Sequence, residues 1–265
     1  RLRERSDVQV ACFTRHERLE QLPNLLRGVD FVFHLAGVNR PQDPQEFVAG
    51  NADLTRNLCN AVMELVRAEG RSVPILYVSS TQAVLENTYG RSKRQAEAVL
   101  LSVGKNPLVP VHIFRLPNVF GKWCKPNYNS VVATFCHNIA RDLPIQMNDP
   151  QAPVTLVYVD DVIECFLRVM DGASVATDPD GFAVMQPQYG TTVGDLARQI
   201  GAFRRSRDTL MTERVGADLV RALYAAYVSY LPVDAWVYDG PLHADPRGVF
   251  VEMLKTPDCG QFSFF

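Results

Sequence analysis

Tyr89 and Lys93 stand four residues apart in the run YGRSK. On a helix that spacing puts both on one face, one turn apart. An ammonium beside a phenol stabilises the phenolate and lowers a pKa that is normally about 10. Such a phenol can give a proton to a carbonyl oxygen near neutral pH. Upstream, the run Tyr77-Val78-Ser79-Ser80-Thr81 ends a strand in hydroxyls. A hydroxyl there can hold a substrate carbonyl beside the phenol as a second donor. Thr81 is assigned that role, and Ser79 and Ser80 are read as capping the strand end. Taken alone, a Tyr–Lys pair at this spacing reads equally as a surface pair, so its meaning depends on the elements around it.

Those elements alternate. Residues 8–13 (VQVACF) read as a short strand and 18–27 as helical. Residues 30–35 (DFVFHL) are a continuous apolar strand, as expected where both sheet faces are covered. Residues 44–70 read as one long helix, with Phe47, Leu54, Leu58, Val62 and Leu65 at helical spacing. Residues 74–79 (PILYVS) are a buried strand, 89–103 a helix, and 108–116 a further strand. This order argues for an α/β fold with a parallel, doubly wound sheet. After Gly121 come a polar loop at 123–130 (WCKPNYNS), a helix at 131–141 and a strand at 155–159. Asp160 and Asp161 open a helix to 171 as cap and first-turn acid, and Thr191-Thr192 cap another to about residue 203. The last long helix spans 214–231. Beyond residue 235 the segments 236–238, 249–254 and the terminal QFSFF read as strands, with turns at Asp245-Pro246 and Asp258-Cys259-Gly260.

The 265 residues are 47% hydrophobic and 21% charged, and the formal net charge is −2. That composition fits a globular protein and gives no polycation signal for nucleic acid or an anionic membrane. No apolar run is long enough to span a bilayer; the nearest, 218–233, is broken by Arg221 and reads as an amphipathic helix. The opening RLRERSD has no apolar segment behind it, so no signal peptide is expected. The six cysteines lack C-x-x-C spacing and read as reduced structural thiols of a cytoplasmic protein. No metal site is expected: His34, His112, His137 and His243 are spread without ligand spacing.

Five runs in order carry a resemblance: HLAG (34–37), YVSST (77–81), YGRSK (89–93), RLPNVFG (115–121) and YVDD (158–161). Together they resemble the extended short-chain dehydrogenase/reductases, which bind NAD(P) on a Rossmann-like fold and act mainly on nucleotide sugars. Further runs, GVNRP (37–41), the stretch 121–145, AYVSYLP (226–232) and VEMLKTPDCGQFS (251–263), resemble one subgroup. It comprises the two-domain reductase/epimerases of capsular and O-antigen polysaccharide synthesis, which act on UDP-2-acetamido-2,6-dideoxy-hexos-4-uloses on the route to UDP-N-acetyl-L-fucosamine.

The resemblance implies hydride transfer from NADPH to C4 of the keto sugar. Tyr89 protonates the alkoxide, Lys93 lowers the Tyr89 pKa and holds the cofactor ribose, and Thr81 bonds the carbonyl. It implies cofactor contacts from Leu35, Ala36, Gly37, Asn51, Lys93 and Pro117, with Thr55 beside Asn51 on the following helix. Asn118 matches a contact to the nucleotide diphosphate, Gln82 is placed at the substrate, and Lys122, Lys125 and Arg141 are the cations available to it. Arg15, after the strand at 8–13, favours the 2'-phosphate of NADP, where an acid would accept the ribose hydroxyls of NAD. The implied organisation is an NADP-binding domain over 1–171, expected to lack its first strand and Gly-rich loop. A helical substrate region follows over 172–233, with a contribution from 121–155, and then the incomplete start of a C-terminal β (cupin) segment over 234–265. A homodimer is implied as well. Two other readings stay open: an NAD-recycling 4-epimerase or dehydratase, and a non-catalytic NADP-binding protein of the same fold.

Overall fold

The computed structural model describes residues 1–257 and 260–265, so the expected turn around Asp258 and Cys259 lies outside the described residues. The chain divides into two compact units, Arg1–Pro117 with Phe166–Met185, and Asn118–Cys165 with Gln186–Phe265.

In the first unit, strands β1 (Val32–His34), β2 (Ile75–Ser80) and β3 (Val111–Leu116) form a parallel sheet in that order. Parallel neighbours need long crossovers, and the chain supplies them as helices. α1 (Leu22–Leu26) precedes β1. Then α2 (Gln45–Phe47), a π-helical segment (Val48–Asp53) and α3 (Leu54–Glu69) lead to β2. α4 (Thr88–Val103) leads to β3. The single helix expected over 44–70 is thus continuous but changes pitch in its second turn. It stops at Gly70, whose φ of 68° is the left-handed turn that glycine takes without strain. The apolar stripe read from α3 is its buried face: Leu58, Cys59, Val62, Leu65 and Val66 pack with Ile75, Tyr77, Ala96 and Leu100.

The strand expected at 8–13 does not form. Its alternation suits a strand, but a strand exists only with a ladder partner, and none of the described strands pairs with it. Phe13 still packs against the core of this unit.

In the second unit, β4 (Asn118–Phe120) pairs parallel with β5 (Pro153–Tyr158), which pairs antiparallel with β6 (Tyr189–Thr192). α5 (Val131–Ile139), α7 (Val193–Thr209) and α8 (Asp218–Val228) pack around Phe120, Phe135, Tyr158, Phe203 and Tyr227. Thr192 caps α7 as expected, its hydroxyl accepting from Asp195 N at 3.1 Å. α6 (Val159–Met170) carries the chain from this unit back to the first, with Asp160 and Asp161 in its first turn. The last helix, α8, starts four residues later than expected.

A separate antiparallel sheet ends the chain: β7 (Leu242–Asp245), β8 (Gly248–Thr256) and β9 (Gly260–Phe264). The strand expected at 236–238 is instead irregular and held by side chains. Trp236 Nε1 donates to Leu231 O at 3.3 Å, and Tyr238 Oη donates to Met253 O at 3.2 Å. Among the described residues no helix is long and apolar enough to cross a membrane.

Candidate functional site

The site of the first unit grows from the C-terminal end of β2. Ser80 closes that strand and its hydroxyl accepts from Gln82 N at 3.2 Å, which starts a 3-10 turn over Thr81–Val84. Asn87 then caps α4, its Oδ1 accepting from Gly90 N at 2.7 Å. Gly90 is required here. A Cβ at that position would run into the carbonyl oxygens of Gln82 and Leu85, so only glycine lets α4 start this close to the turn. The close start brings the Tyr89 phenol beside the Ser80 hydroxyl. Thr81 and Gln82 lie exposed on the turn itself. The Phe47 ring flanks Tyr89 at 5.7 Å between centroids.

Lys93 follows one turn along α4 and is 6% exposed. Its Nζ donates to Val78 O at 3.0 Å and to Tyr77 Oη at 3.3 Å. Burial lowers its pKa from 10.5 to about 8, against a raising influence from Glu97. The Tyr89 phenol, by contrast, is pushed above its ordinary value by burial, and the nearby Ser80 hydroxyl opposes the rise. The expected partnership is therefore arranged differently. The lysine is hydrogen-bonded to Tyr77 rather than to Tyr89, and Tyr89 is held as a protonated phenol.

Asn51 joins the segment after β1 to α4. Its Oδ1 accepts from Val38 N, and its Nδ2 donates to Val38 O and to Ser92 Oγ, each at 2.9 Å. Ser92 Oγ donates in turn to Tyr89 O at 2.8 Å. Leu35, Ala36 and Gly37 lie exposed beyond the end of β1. A Cβ on Gly37 would stand 2.7 Å from Asn51 Oδ1 and 3.1 Å from Lys93 Nζ, so glycine leaves a concavity directly over the lysine. Arg15 is exposed in a turn, not at a strand end, because the strand meant to carry it is absent. Pro117 is half-buried at the end of this unit.

Behind these groups lies an ion pair with a buried carboxylate. Arg115 on β3 donates to both oxygens of Glu97, at 3.0 and 2.7 Å, and Ser79 Oγ donates to Glu97 Oε1 at 2.5 Å. Glu97 is 2% exposed, and the Arg115 guanidinium lies 3.6 Å from the Phe182 ring centroid. Ser79, expected as a strand-end cap, instead sends its hydroxyl to this carboxylate.

In the second unit, Asn118 is exposed on β4, with Nδ2 donating to Thr155 O at 3.3 Å. Lys122 pairs with Asp160 at 3.0 Å and lies over the Trp123 ring, and Lys125 lies over Tyr128. Arg141 donates to Tyr230 O at 2.8 Å and to His137 O at 3.2 Å, which splints the end of α5 to the end of α8. Three groups of the first unit are not evident from the sequence as site residues: Ser80 on Tyr89, Tyr77 on Lys93, and Glu97. A usable signal exists. Tyr77 and Ser79 share one face of β2, and Lys93 and Glu97 share one face of α4.

A parallel sheet with helical crossovers, and a tyrosine and a buried lysine one turn apart at a strand end, defines the fold of the short-chain dehydrogenase/reductases, with its Rossmann-like sheet. Comparison with known proteins agrees. The pattern of the NAD dependent epimerase/dehydratase family matches residues 2–182. The chain is 57% identical over 265 residues to UDP-2-acetamido-2,6-beta-L-arabino-hexul-4-ose reductase of Pseudomonas aeruginosa, covering all of this chain and 69% of that protein. Among solved structures it is similar to the capsular polysaccharide assembling protein CapF from Staphylococcus aureus, with a TM-score of 0.81 and 39% identity, covering 94% of this chain and 66% of that one. The UDP-glucuronic acid 4-epimerase of Bacillus cereus, solved in complex with NAD, shares the fold at a TM-score of 0.63 and 17% identity, covering 81% of this chain and 77% of that one. This chain belongs to the NAD dependent epimerase/dehydratase family, and it spans about two thirds of the length of the first two relatives.

Proposed function

We propose that this chain reduces the C4 keto group of a UDP-2-acetamido-2,6-dideoxy-hexos-4-ulose with NADPH, in the formation of a capsule or O-antigen sugar. The observation that carries this reading is a protonated Tyr89 and a buried Lys93 one turn apart on α4, beside the end of β2. The relative named as a hexul-4-ose reductase supplies the substrate class.

The residues present fit a dinucleotide. The concavity left by Gly37 opens on Lys93 Nζ, and among the described residues two of that ammonium's three N–H donors are taken, by Val78 O and Tyr77 Oη. The exposed Leu35–Gly37 segment, Asn51 through its hold on Val38, Lys93 and Pro117 would hold the cofactor. Arg15 would favour a 2'-phosphate. When bound, the dinucleotide supplies the hydride for C4.

The chain's own groups handle the proton. Reduction needs a donor that keeps its proton until the alkoxide forms, and a phenol raised by burial is such a donor. Tyr89 gives its proton to O4 as the C4–H bond forms. Thr81 and Ser80, at the strand end, hold the carbonyl oxygen. The Lys93 ammonium stabilises the phenolate left behind. Asn118, Gln82, Lys122, Lys125 and Arg141 are proposed for the nucleotide and its diphosphate. The strands β7, β8 and β9 are proposed as the first strands of a cupin.

The test follows cofactor oxidation with the 4-keto-6-deoxy sugar nucleotide supplied, using NADPH and NADH in parallel. Net NADPH consumption that falls about 10³-fold in Tyr89→Phe is the expected result. Sugar conversion with no net cofactor consumption would point to an epimerase instead.

A further inference from the structure

Lys93 is buried among groups that are themselves unusual for a core. His34 on β1, Tyr77 on β2 and Thr55 on α3 are 4%, 0% and 0% exposed. A buried polar group stays only where its hydrogen bonds are made. Here His34, Thr55 and the Asn51 carbonyl are joined by hydrogen bonds, and Tyr77 is bonded to Lys93.

Thr55 Oγ1 lies 2.6 Å from Asn51 O. A carbonyl only accepts, so the single threonine proton is spent on that bond. Thr55 Oγ1 also lies 2.7 Å from His34 Nε2. With its own proton used, Thr55 accepts that bond, so the imidazole carries its proton on Nε2. The Tyr77 oxygen accepts from Lys93 Nζ, 3.3 Å away. Burial holds His34 neutral, with a pKa near 4, so no cation stands beside Lys93 on that side.

We propose that Tyr77 is a positioning residue for Lys93. Its buried hydroxyl serves as the acceptor that fixes the lysine ammonium beneath the Gly37 concavity. The inference rests on the reading of Lys93 as the reaction's ammonium. Tyr77 touches neither substrate nor cofactor in this role.

The charged and titratable groups facing Lys93 are His34 from β1, Tyr77 from β2, and Tyr89 and Glu97 from α4, with Glu97 bound by Arg115 from β3. Removing the Tyr77 oxygen takes away an acceptor that favours the charged lysine and leaves the others in place. The Lys93 midpoint must then fall.

The experiment reads that midpoint directly. The protein labelled with ¹³C at lysine Cε is titrated by NMR without cofactor, as wild type, Tyr77→Phe, Thr55→Val and Thr55→Ser. Lys93→Arg supplies the assignment. Wild type should titrate near pH 8, and Tyr77→Phe about one pH unit lower. Thr55→Val and Thr55→Ser, which leave the Tyr77 oxygen in place, should keep the midpoint close to wild type. In the reductase assay the alkaline limb of kcat for Tyr77→Phe should move down with the lysine, with KM for the sugar nucleotide within about twofold. A Tyr77→Phe protein that melts earlier but keeps the wild-type Lys93 midpoint would make Tyr77 a packing residue and overturn the proposal. Failure of the reductase reading shows separately, as turnover indifferent to Tyr89→Phe, while the NMR result stands on its own.

Discussion

Ile75, Leu76 and Tyr77 on β2 have no exposed surface, whereas Phe262 and Phe264 on β9 keep 60% and 70% of theirs. Both stretches are strands rich in apolar residues. The difference lies in what covers them. β2 is the middle strand of its sheet, and α3 and α4 bury its side chains. In the terminal sheet, Leu242, Val249, Met253, Phe262, Phe264 and Phe265 are all exposed. A covered sheet can do what an uncovered one cannot. It removes water from a lysine and an imidazole, so their charge states answer to named neighbours instead of to solvent. Titratable side chains of the terminal sheet, such as Asp245 and Arg247, pair with each other in water, where the pair contributes little.

Glu97 is where the contrast between the two sheets is tested hardest. Glu97→Ala leaves the Arg115 guanidinium without its carboxylate and the Ser79 hydroxyl without its acceptor. Arg115 keeps 20% of its side-chain surface, so the loss falls at the low end for a buried pair, about 3 kcal/mol, which urea denaturation should register as a lowered midpoint with an unchanged slope. Next comes the imidazole. His34 has its pKa lowered from 6.5 to about 4, mainly by burial and secondarily by Lys93. The unfolded chain therefore binds a proton between those values that the folded chain refuses. Stability is full above about pH 6.5 and falls as pH drops toward 4, by about 3 kcal/mol from this group. His34→Gln keeps a donor for Thr55 and cannot charge, so denaturation midpoints at pH 4.5 and 7 should differ less in the variant than in wild type. The smallest effect belongs to the uncovered sheet. Phe262→Ser should change stability by no more than about 0.5 kcal/mol, while lowering the binding of a hydrophobic dye. A loss of several kcal/mol there would mean that the terminal sheet depends on its side chains as heavily as the parallel one does.

The covered sheet is also the more legible. The runs at 30–35 and 74–79 are continuously apolar, and β1 and β2 fall inside them or within one residue. The Tyr89–Lys93 spacing places both on one helix face correctly. It cannot say which phenol the ammonium meets, because Tyr77 reaches Lys93 from another element sixteen residues away. Ser80 is hidden for a related reason: it caps a turn, as expected, and also stands beside Tyr89. At 8–13 and 236–238 local propensity suggests strands, and the absence of a ladder partner decides otherwise. β7 escapes a sequence reading because LHAD carries a turn-forming acid and little apolar alternation.

The π-helical segment at Val48–Asp53 acts as an angular correction. A π turn takes one residue more than an α turn before the backbone bonds close. From Leu54 onward α3 runs at ordinary pitch, with its stripe from Leu58 to Val66 fixed against the core. The extra residue therefore resets the azimuth of everything before it relative to that stripe, and Asn51 sits within the reset. One residue corresponds to about 100° of rotation about the helix axis. Deleting a single residue from 48–50 would let the segment relax to an α-helix. The apolar face of α3 would stay in phase, while the residues before the deletion would swing about a quarter turn, taking the Phe47 ring away from Tyr89.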